Sequence, residues 1–303
     1  MIGEPKDLNI YLINTEEKIN RNKIMKILLV VLTITMLILL IFVANYSINI
    51  IKYNKVYKQY EEQIALLQIQ EREKQEAERQ AKIPKLTEQG QKNMENIYHS
   101  ETKRVFLTFD DGPSTITNTI LDVLKQENVK ATFFVLGSRV EANLDVVKRM
   151  YDEGHYIANH GYSHVYKNIY ASPQAVLDEY NKCNDVVKNA IGVPEYNSHL
   201  FRFPGGLVGG KYAEIKSQAN ELLKQNNIVH IDWNALNGDA ETNNLTVDFE
   251  LKRLQETTQN KNSIVLLMHD APAKKVTAEA LPQIISYLRE QGYEFMNFYE
   301  IIK

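Results

Sequence analysis

The sequence predicts an α/β domain with a mainly parallel sheet, carried behind one apolar helix. Three observations predict it. Short apolar, strand-like runs alternate with helical segments from residue 104 onward. Polar residues with chemical potential gather where those runs end. Ahead of them stands an uncharged apolar stretch long enough to cross a bilayer, which takes about 20 residues.

Residues 1–26 are polar and end in Lys18, Arg21, Lys23 and Lys26. Residues 27–51 carry no charge. A cleaved leader has an apolar core of only about 7–15 residues and a small-residue exit; Val43-Ala-Asn-Tyr-Ser47 is a poor exit. The stretch therefore reads as an uncleaved transmembrane anchor. The basic cluster before it sets a cytoplasmic N-terminus, opposed in part by Lys52, Lys55 and Lys58. The chain beyond the anchor is then extracellular, on a single-pass cell-membrane protein.

Residues 52–100 are rich in Glu, Gln, Lys and Arg and read as a charged helical tether. Ile50, Tyr53, Tyr57, Tyr60, Ile64 and Leu67 recur at spacings of three and four, a stripe that would permit weak self-association as a short coiled coil. Ile83-Pro84 breaks the helix.

Within 101–303, strand-like runs fall at 105–109, 131–136, 156–158, 200–203, 228–233, 263–268 and 293–296. Helical segments fall at 117–126, 142–153, 173–190, 212–225, 247–259 and 277–291. Seven such strands suit a barrel or a doubly wound sheet, and both gather chemistry at the C-terminal strand tips. A net charge of −3 with both signs abundant gives no field for nucleic acid. The single cysteine, Cys183, excludes an intramolecular disulfide and a cysteine-based zinc finger.

The strand tips carry the candidates. Val105–Phe109 runs into Asp110-Asp111-Gly-Pro. Adjacent carboxylates repel unless a cation or a shared proton relieves them. After 156–158 come His160 and His164, whose spacing on a helical turn would put both imidazoles on one face to share a divalent ion. Leu200-Phe201 leads into Arg202-Phe-Pro-Gly-Gly206, and 263–268 ends in His269-Asp270.

Thr-Phe-Asp-Asp-Gly-Pro-Ser, His-Gly-Tyr-Ser-His, Arg-Phe-Pro-Gly-Gly, Asp-Trp-Asn…Gly-Asp and Leu-Leu-Met-His-Asp stand in the order of the polysaccharide deacetylase motifs (NodB homology, carbohydrate esterase family 4). The resemblance covers about residues 100–303 and includes neither anchor nor tether. It implies a distorted (β/α) barrel of about seven parallel strands, and a metal-dependent hydrolase that de-N-acetylates a glycan. By the same resemblance Asp110 is the general base, and Asp111, His160 and His164 hold the metal, usually zinc, with cobalt or another divalent ion able to replace it. Arg202 orients the base, and His269 is the general acid. Gly205, where the family commonly has Tyr, offers its N–H to the acetyl oxyanion, and Leu267 lines the acetate pocket. The fourth motif departs from the family: Leu236 and Ala240 stand where Asp and Trp are usual. Asp239 is the expected partner of the histidine acid, with Asp232 as the alternative, and Trp233 is left to supply a groove wall. An exterior location makes peptidoglycan N-acetylglucosamine the expected substrate. Chitin-like chains, poly-N-acetylglucosamine and xylan remain open within the enzyme class, and a non-catalytic glycan-binding envelope protein outside it.

Overall fold

The computed structural model describes residues 6–303, with side chains from Thr15 onward. The chain divides after Glu76 into two units. Helix α1 (Lys6–Ala81) fills the first and ends just inside the second. Its apolar window reaches a mean hydropathy of 3.2, and among the described residues it is the one helix long and apolar enough to cross a membrane. Its large apolar side chains from Ile27 to Val43 are all exposed. The helix stops short of Pro84, because a proline disfavours helical backbone in the residue before it.

The second unit contains α2 (Glu88–Glu95), β1 (Arg104–Asp110), α3 (Thr117–Gln126), β2 (Thr132–Val135), α4 (Gly137–Ala142), α5 (Leu144–Asp152) and β3 (Tyr156–Asn159). Next come α6 (Tyr166–Ile169), α7 (Pro173–Ile191), β4 (Leu200–Phe201), α8 (Ala213–Gln225), β5 (Val229–His230) and β6 (Ala235–Leu236). The unit ends with α9 (Val247–Thr258), β7 (Ser263–His269), α10 (Lys275–Glu290), β8 (Glu294–Met296) and a 3₁₀ turn, Phe298–Glu300. All strand pairings are parallel, in the order β5-β4-β3-β2-β1-β7-β6. β8 pairs with the first half of β1, on the edge whose second half takes β2. The seven expected strands are present. An eighth, β6, lies in a stretch the sequence reads as loop, since two residues are too few to show alternation.

The order forces the sheet to curl. β5 and β6 are its opposite edges, yet only residues 231–234 separate them. Seven flat strands would hold those edges about 29 Å apart at about 4.8 Å per step. The connection spans at most about 18 Å. The result is the half-closed barrel that the resemblance implies.

Alternation then sorts the strand residues into two layers. Val105, Leu107 and Phe109 join Phe133, Val135, Ile264, Leu266 and Met268 in a core under the outer helices. Phe106, Phe134, Tyr156, Leu200 and Val265 pack inside the curl. The interior phase of β1 therefore runs 106, 108, 110, that of β3 runs 156, 158, 160, and that of β7 runs 265, 267, 269. Arg202 continues the phase of Leu200. Asp110, His160, Arg202 and His269 all share the inward phase, which takes each of them to the same mouth.

The opposite end has a floor. Met94, Ile97, Phe298, Ile301 and Ile302 belong to the interior cluster, and Phe298 stacks on Phe106 with ring centroids 5.0 Å apart. Thr87 N–H donates to the Ile302 carbonyl at 3.1 Å, and the Asn93 amide to that of Ile301 at 3.0 Å. A Cβ on Gly90 would fall on the Ile302 carbonyl, so only glycine lets these segments meet. Residues 83–100, which the sequence reads as the end of a tether, are thus packed into the compact unit.

Candidate active site

Asp110 ends β1 pointing inward and is buried. One carboxylate oxygen, Oδ1, accepts from Arg202 Nη1 at 2.7 Å; the other lies 3.8 Å from His160 Nε2. Arg202 is fully buried. It also donates to Thr108 Oγ1 at 2.8 Å, to the Ile231 carbonyl at 3.1 Å and to the Asp232 carbonyl at 3.1 Å, with its guanidinium 4.0 Å from the Phe134 ring centre. Acceptors and aromatic rings surround this fork, a setting in which a buried cation is tolerable.

Asp111 leaves the strand with φ of 72°, left-handed backbone that aspartate tolerates better than most residues. That reversal swings it away from the outward phase, toward the histidines. Its Oδ1 lies 3.4 Å from His164 Nε2 and 3.7 Å from His160 Nε2, and it is buried with no hydrogen-bond partner.

The two histidines do not sit on a helical turn, contrary to the sequence expectation. They lie in the loop between β3 and α6, which begins only at Tyr166. Gly161 (φ 86°) and His164 (φ 55°) fold that loop back on itself and bring the rings to 5.3 Å. Glu179 of α7 holds it from outside, accepting from Tyr162 N–H at 2.7 Å, Ser163 N–H at 2.8 Å and the Ser163 hydroxyl at 2.5 Å.

Does this triad suit a cation? His160 Nδ1 lies 2.8 Å from the Arg202 carbonyl, which can only accept, so the ring proton sits on Nδ1 and the Nε2 lone pair faces Asp111. Burial pushes the His160 pKa down, keeping the ring neutral as a ligand must be. Burial alone would raise Asp111, but His160, His164, His269 and Arg139 outweigh it and hold the carboxyl below its usual range. Ligand atoms about 2.1 Å from one ion at tetrahedral angles stand about 3.4 Å apart. The orphaned oxygen, the aimed lone pair of His160 and the spacing of the three groups all fit a divalent ion with coordination positions left open.

His269 ends β7, opposite Asp110 in the ladder. Its Nδ1 lies 2.8 Å from Asp239 Oδ1, and its backbone N–H donates to Asp239 Oδ2 at 2.8 Å. Burial would push the imidazolium pKa down, but the hydrogen bond and charge of Asp239, aided by Asp110 and Asp111, outweigh it and raise the value to about 9. The partner of His269 is therefore Asp239 and not Asp232, whose carboxylate accepts from Leu207 N–H at 3.0 Å. Next in sequence, Asp270 is buried and accepts from Thr117 Oγ1 at 2.7 Å; burial raises its carboxyl to about 7.

Leu267 lies on the inward phase of β7 and is buried between Thr108 and Leu236 in the ladder. Trp233 stands beside Gly206, with the Arg202 guanidinium 5.8 Å from its ring centre, and so belongs to the Arg202 side of the mouth. Gly205 has φ of 75°, and a Cβ there would land on the Tyr166 hydroxyl. Tyr166 was not a sequence candidate. It packs between His164, whose ring is tilted against it at 5.7 Å, and Tyr170, which meets it edge-on at 5.4 Å, and it occupies the place a side chain at 205 would need. Gly205→Ala is expected to cost more than the roughly 1–2 kcal/mol of left-handed strain alone. Adding Tyr166→Phe should recover the excess in urea unfolding, because the hydroxyl is what the new Cβ meets.

Similarity to known proteins extends over about two thirds of the chain. Residues 98–222 match the family model for polysaccharide deacetylase. YheN of Bacillus subtilis is 37% identical over 207 residues, 67% of this chain and 70% of its own. A peptidoglycan-N-acetylglucosamine deacetylase of Bacillus cereus is 33% identical over 203 residues, 66% of this chain and 71% of its own. A solved carbohydrate esterase family 4 enzyme of Streptococcus mutans superposes with a TM-score of 0.63 at 32% identity, covering 70% of this chain and 92% of that one. On the fold, the motifs and these likenesses together, the chain belongs to the polysaccharide deacetylase family.

Proposed function

We propose that this protein is a membrane-anchored, divalent-metal-dependent hydrolase that removes N-acetyl groups from an envelope glycan, with N-acetylglucosamine of peptidoglycan as its substrate. The observation that carries the reading is the triad of Asp111, His160 and His164 flanked by two differently partnered groups: Asp110 on Arg202, and His269 on Asp239. The substrate rests on the name of the Bacillus cereus relative and on the apolar helix, which fits a chain anchored with its N-terminus in the cytoplasm and its second unit outside.

Each group has a distinct task. A divalent ion at the triad, zinc in this reading, supplies Lewis acidity and can bring the pKa of water from 15.7 to about 7. Asp110 takes the proton of the attacking water on the oxygen that Arg202 leaves free. Gly205 N–H receives the developing acetyl oxyanion. His269, held protonated at neutral pH by Asp239, gives its proton to the departing amine, which is a poor leaving group as an anion. Leu267 lines the acetate pocket, and Trp233 walls the Arg202 side.

The test uses the full chain in detergent with zinc or cobalt, offered N-acetylglucosamine oligomers, peptidoglycan and acetylated xylan, with released acetate as readout. Acetate from the amide substrates is expected. No acetate from any of them, with metal demonstrably bound, would mean a non-catalytic glycan binder. His164→Ala is expected to weaken metal affinity by at least tenfold, read by calorimetric titration. Unchanged affinity would move the metal elsewhere.

A further inference from the structure

Behind the His269–Asp239 pair lies a buried carboxyl to which the proposed function gives no task. Glu250 of α9 has no exposed surface, and neither have Asn237 and Thr277 beside it. Asn237 Nδ2 donates to Glu250 Oε2 at 2.7 Å. Thr277 Oγ1 of α10 lies 3.1 Å from Asp239 Oδ2 and 3.2 Å from Glu250 Oε1. Two carboxyl groups thus share one hydroxyl, in a place closed to bulk water.

A threonine hydroxyl has one hydrogen and can donate to only one of them. If Glu250 were ionised, either its Oε1 or Asp239 Oδ2 would go without that hydrogen, and an unmatched buried charge is costly. If Glu250 carries a proton on Oε1, the conflict disappears. Oε1–H donates to Thr277, and Thr277 donates to Asp239. Asp239 meanwhile receives two hydrogens from His269, one on each oxygen, whereas Glu250 receives only the one from Asn237.

We infer that Glu250 rests as the neutral acid and acts through Thr277 as a positioning residue for the Asp239–His269 pair. The order of hydrogens is Glu250 to Thr277 to Asp239, with His269 donating from the other side. Burial, and then the charge of Asp239, raise the Glu250 carboxyl to about 7, against the opposing pull of Thr277, Asn237 and Lys274. Asp239 and Lys274 are the charged groups that act on it. The Lys274 ammonium donates to the Asp239 carbonyl at 2.6 Å. When Glu250 does ionise, a negative charge appears one hydroxyl away from Asp239 and tightens the hold of His269 on its proton. The acid would thereby stay charged further into the alkaline range.

Glu250→Gln is the isostere of the protonated acid: its amide nitrogen can donate to Thr277 while its oxygen accepts from Asn237. It is expected to fold. The first measurement, thermal unfolding of the full chain against pH, does not depend on catalysis. A group whose folded pKa is raised contributes stability in full below its unfolded value, here near 4.5, and loses it as pH rises through about 7. The wild-type Tm should therefore fall more steeply than that of Glu250→Gln between pH 5 and 8. Asp270, which titrates in the same range, is present in both proteins and cancels in the comparison. Parallel curves would overturn the protonated resting state.

The second measurement rests on His269 being the acid proposed above. Glu250→Gln should keep near-wild-type kcat at pH 6, while the alkaline limb of its profile moves down by about half to one pH unit. Thr277→Val, which removes the shared hydroxyl, should lower kcat about tenfold with little change in KM. An alkaline limb unmoved in Glu250→Gln would overturn the coupling. Failure of every variant and of the wild type to release acetate would count against the proposed function, while the unfolding curves still decide the protonation.

Discussion

Asp110→Asn is expected to reduce acetate release by about 10²–10⁴-fold, the usual worth of a positioned base, while metal affinity stays within a few fold. Arg202 Nη1 can only donate, so it fixes the acceptor end of whatever stands at 110. The amide oxygen of the new asparagine must take that place, which turns its NH₂ toward the side where Asp110 now offers a lone pair. A donor replaces the base with almost no change of shape. The metal triad does not include residue 110, so its ligands remain. Turnover kinetics and calorimetric titration on the same preparation check both halves. Retention of more than a tenth of the activity would sink the assignment of the base.

Arg202→Met is expected to destabilise the second unit by about 3–5 kcal/mol, the range for removing one partner of a buried ion pair. Asp110 would be left buried and charged, and the carbonyls of Ile231 and Asp232 would lose their donors. Those carbonyls lie in the connection that joins the two edges of the sheet, so the guanidinium ties that seam to the central strand. In the double variant with Asp110→Asn no charge is stranded, and part of the loss should return. Urea unfolding of the four proteins in this cycle gives the coupling. A single variant within 1 kcal/mol of wild type would contradict the buried pair, as would strictly additive effects.

The parts of this molecule legible in the sequence were those set by local period and by motif. The inward phase of 106, 108 and 110 follows from strand alternation, and the same rule aims Arg202 and His269. The break before Pro84 follows from proline sterics. The family followed from five short motifs in order. What escaped depends on contacts distant in sequence. The histidine loop takes its shape from the left-handed backbone of Gly161 and His164 and from Glu179, and neither His164 nor Glu179 marks itself as a turn setter. β6 pairs through only two residues with partners 31 positions away. Tyr166 filling the place beside Gly205 requires two loops to meet, and Glu250 reads on α9 as one more acidic helix residue. A signal for it existed: Glu250 stands among Leu251 and Leu254, which pack on the core.

The packed floor decides where the second unit could be cut loose from helix α1. A protease acting ahead of Ala77 would leave α2, Ile97 and the closing contacts with Ile301 and Ile302 on the liberated piece. Cutting anywhere from 88 to 100 would strip some or all of them away and uncover Phe106 and Phe298. The first product would be a soluble enzyme, the second an unstable fragment exposed to aggregation and degradation. The few residues ahead of the first strand thus separate release from destruction.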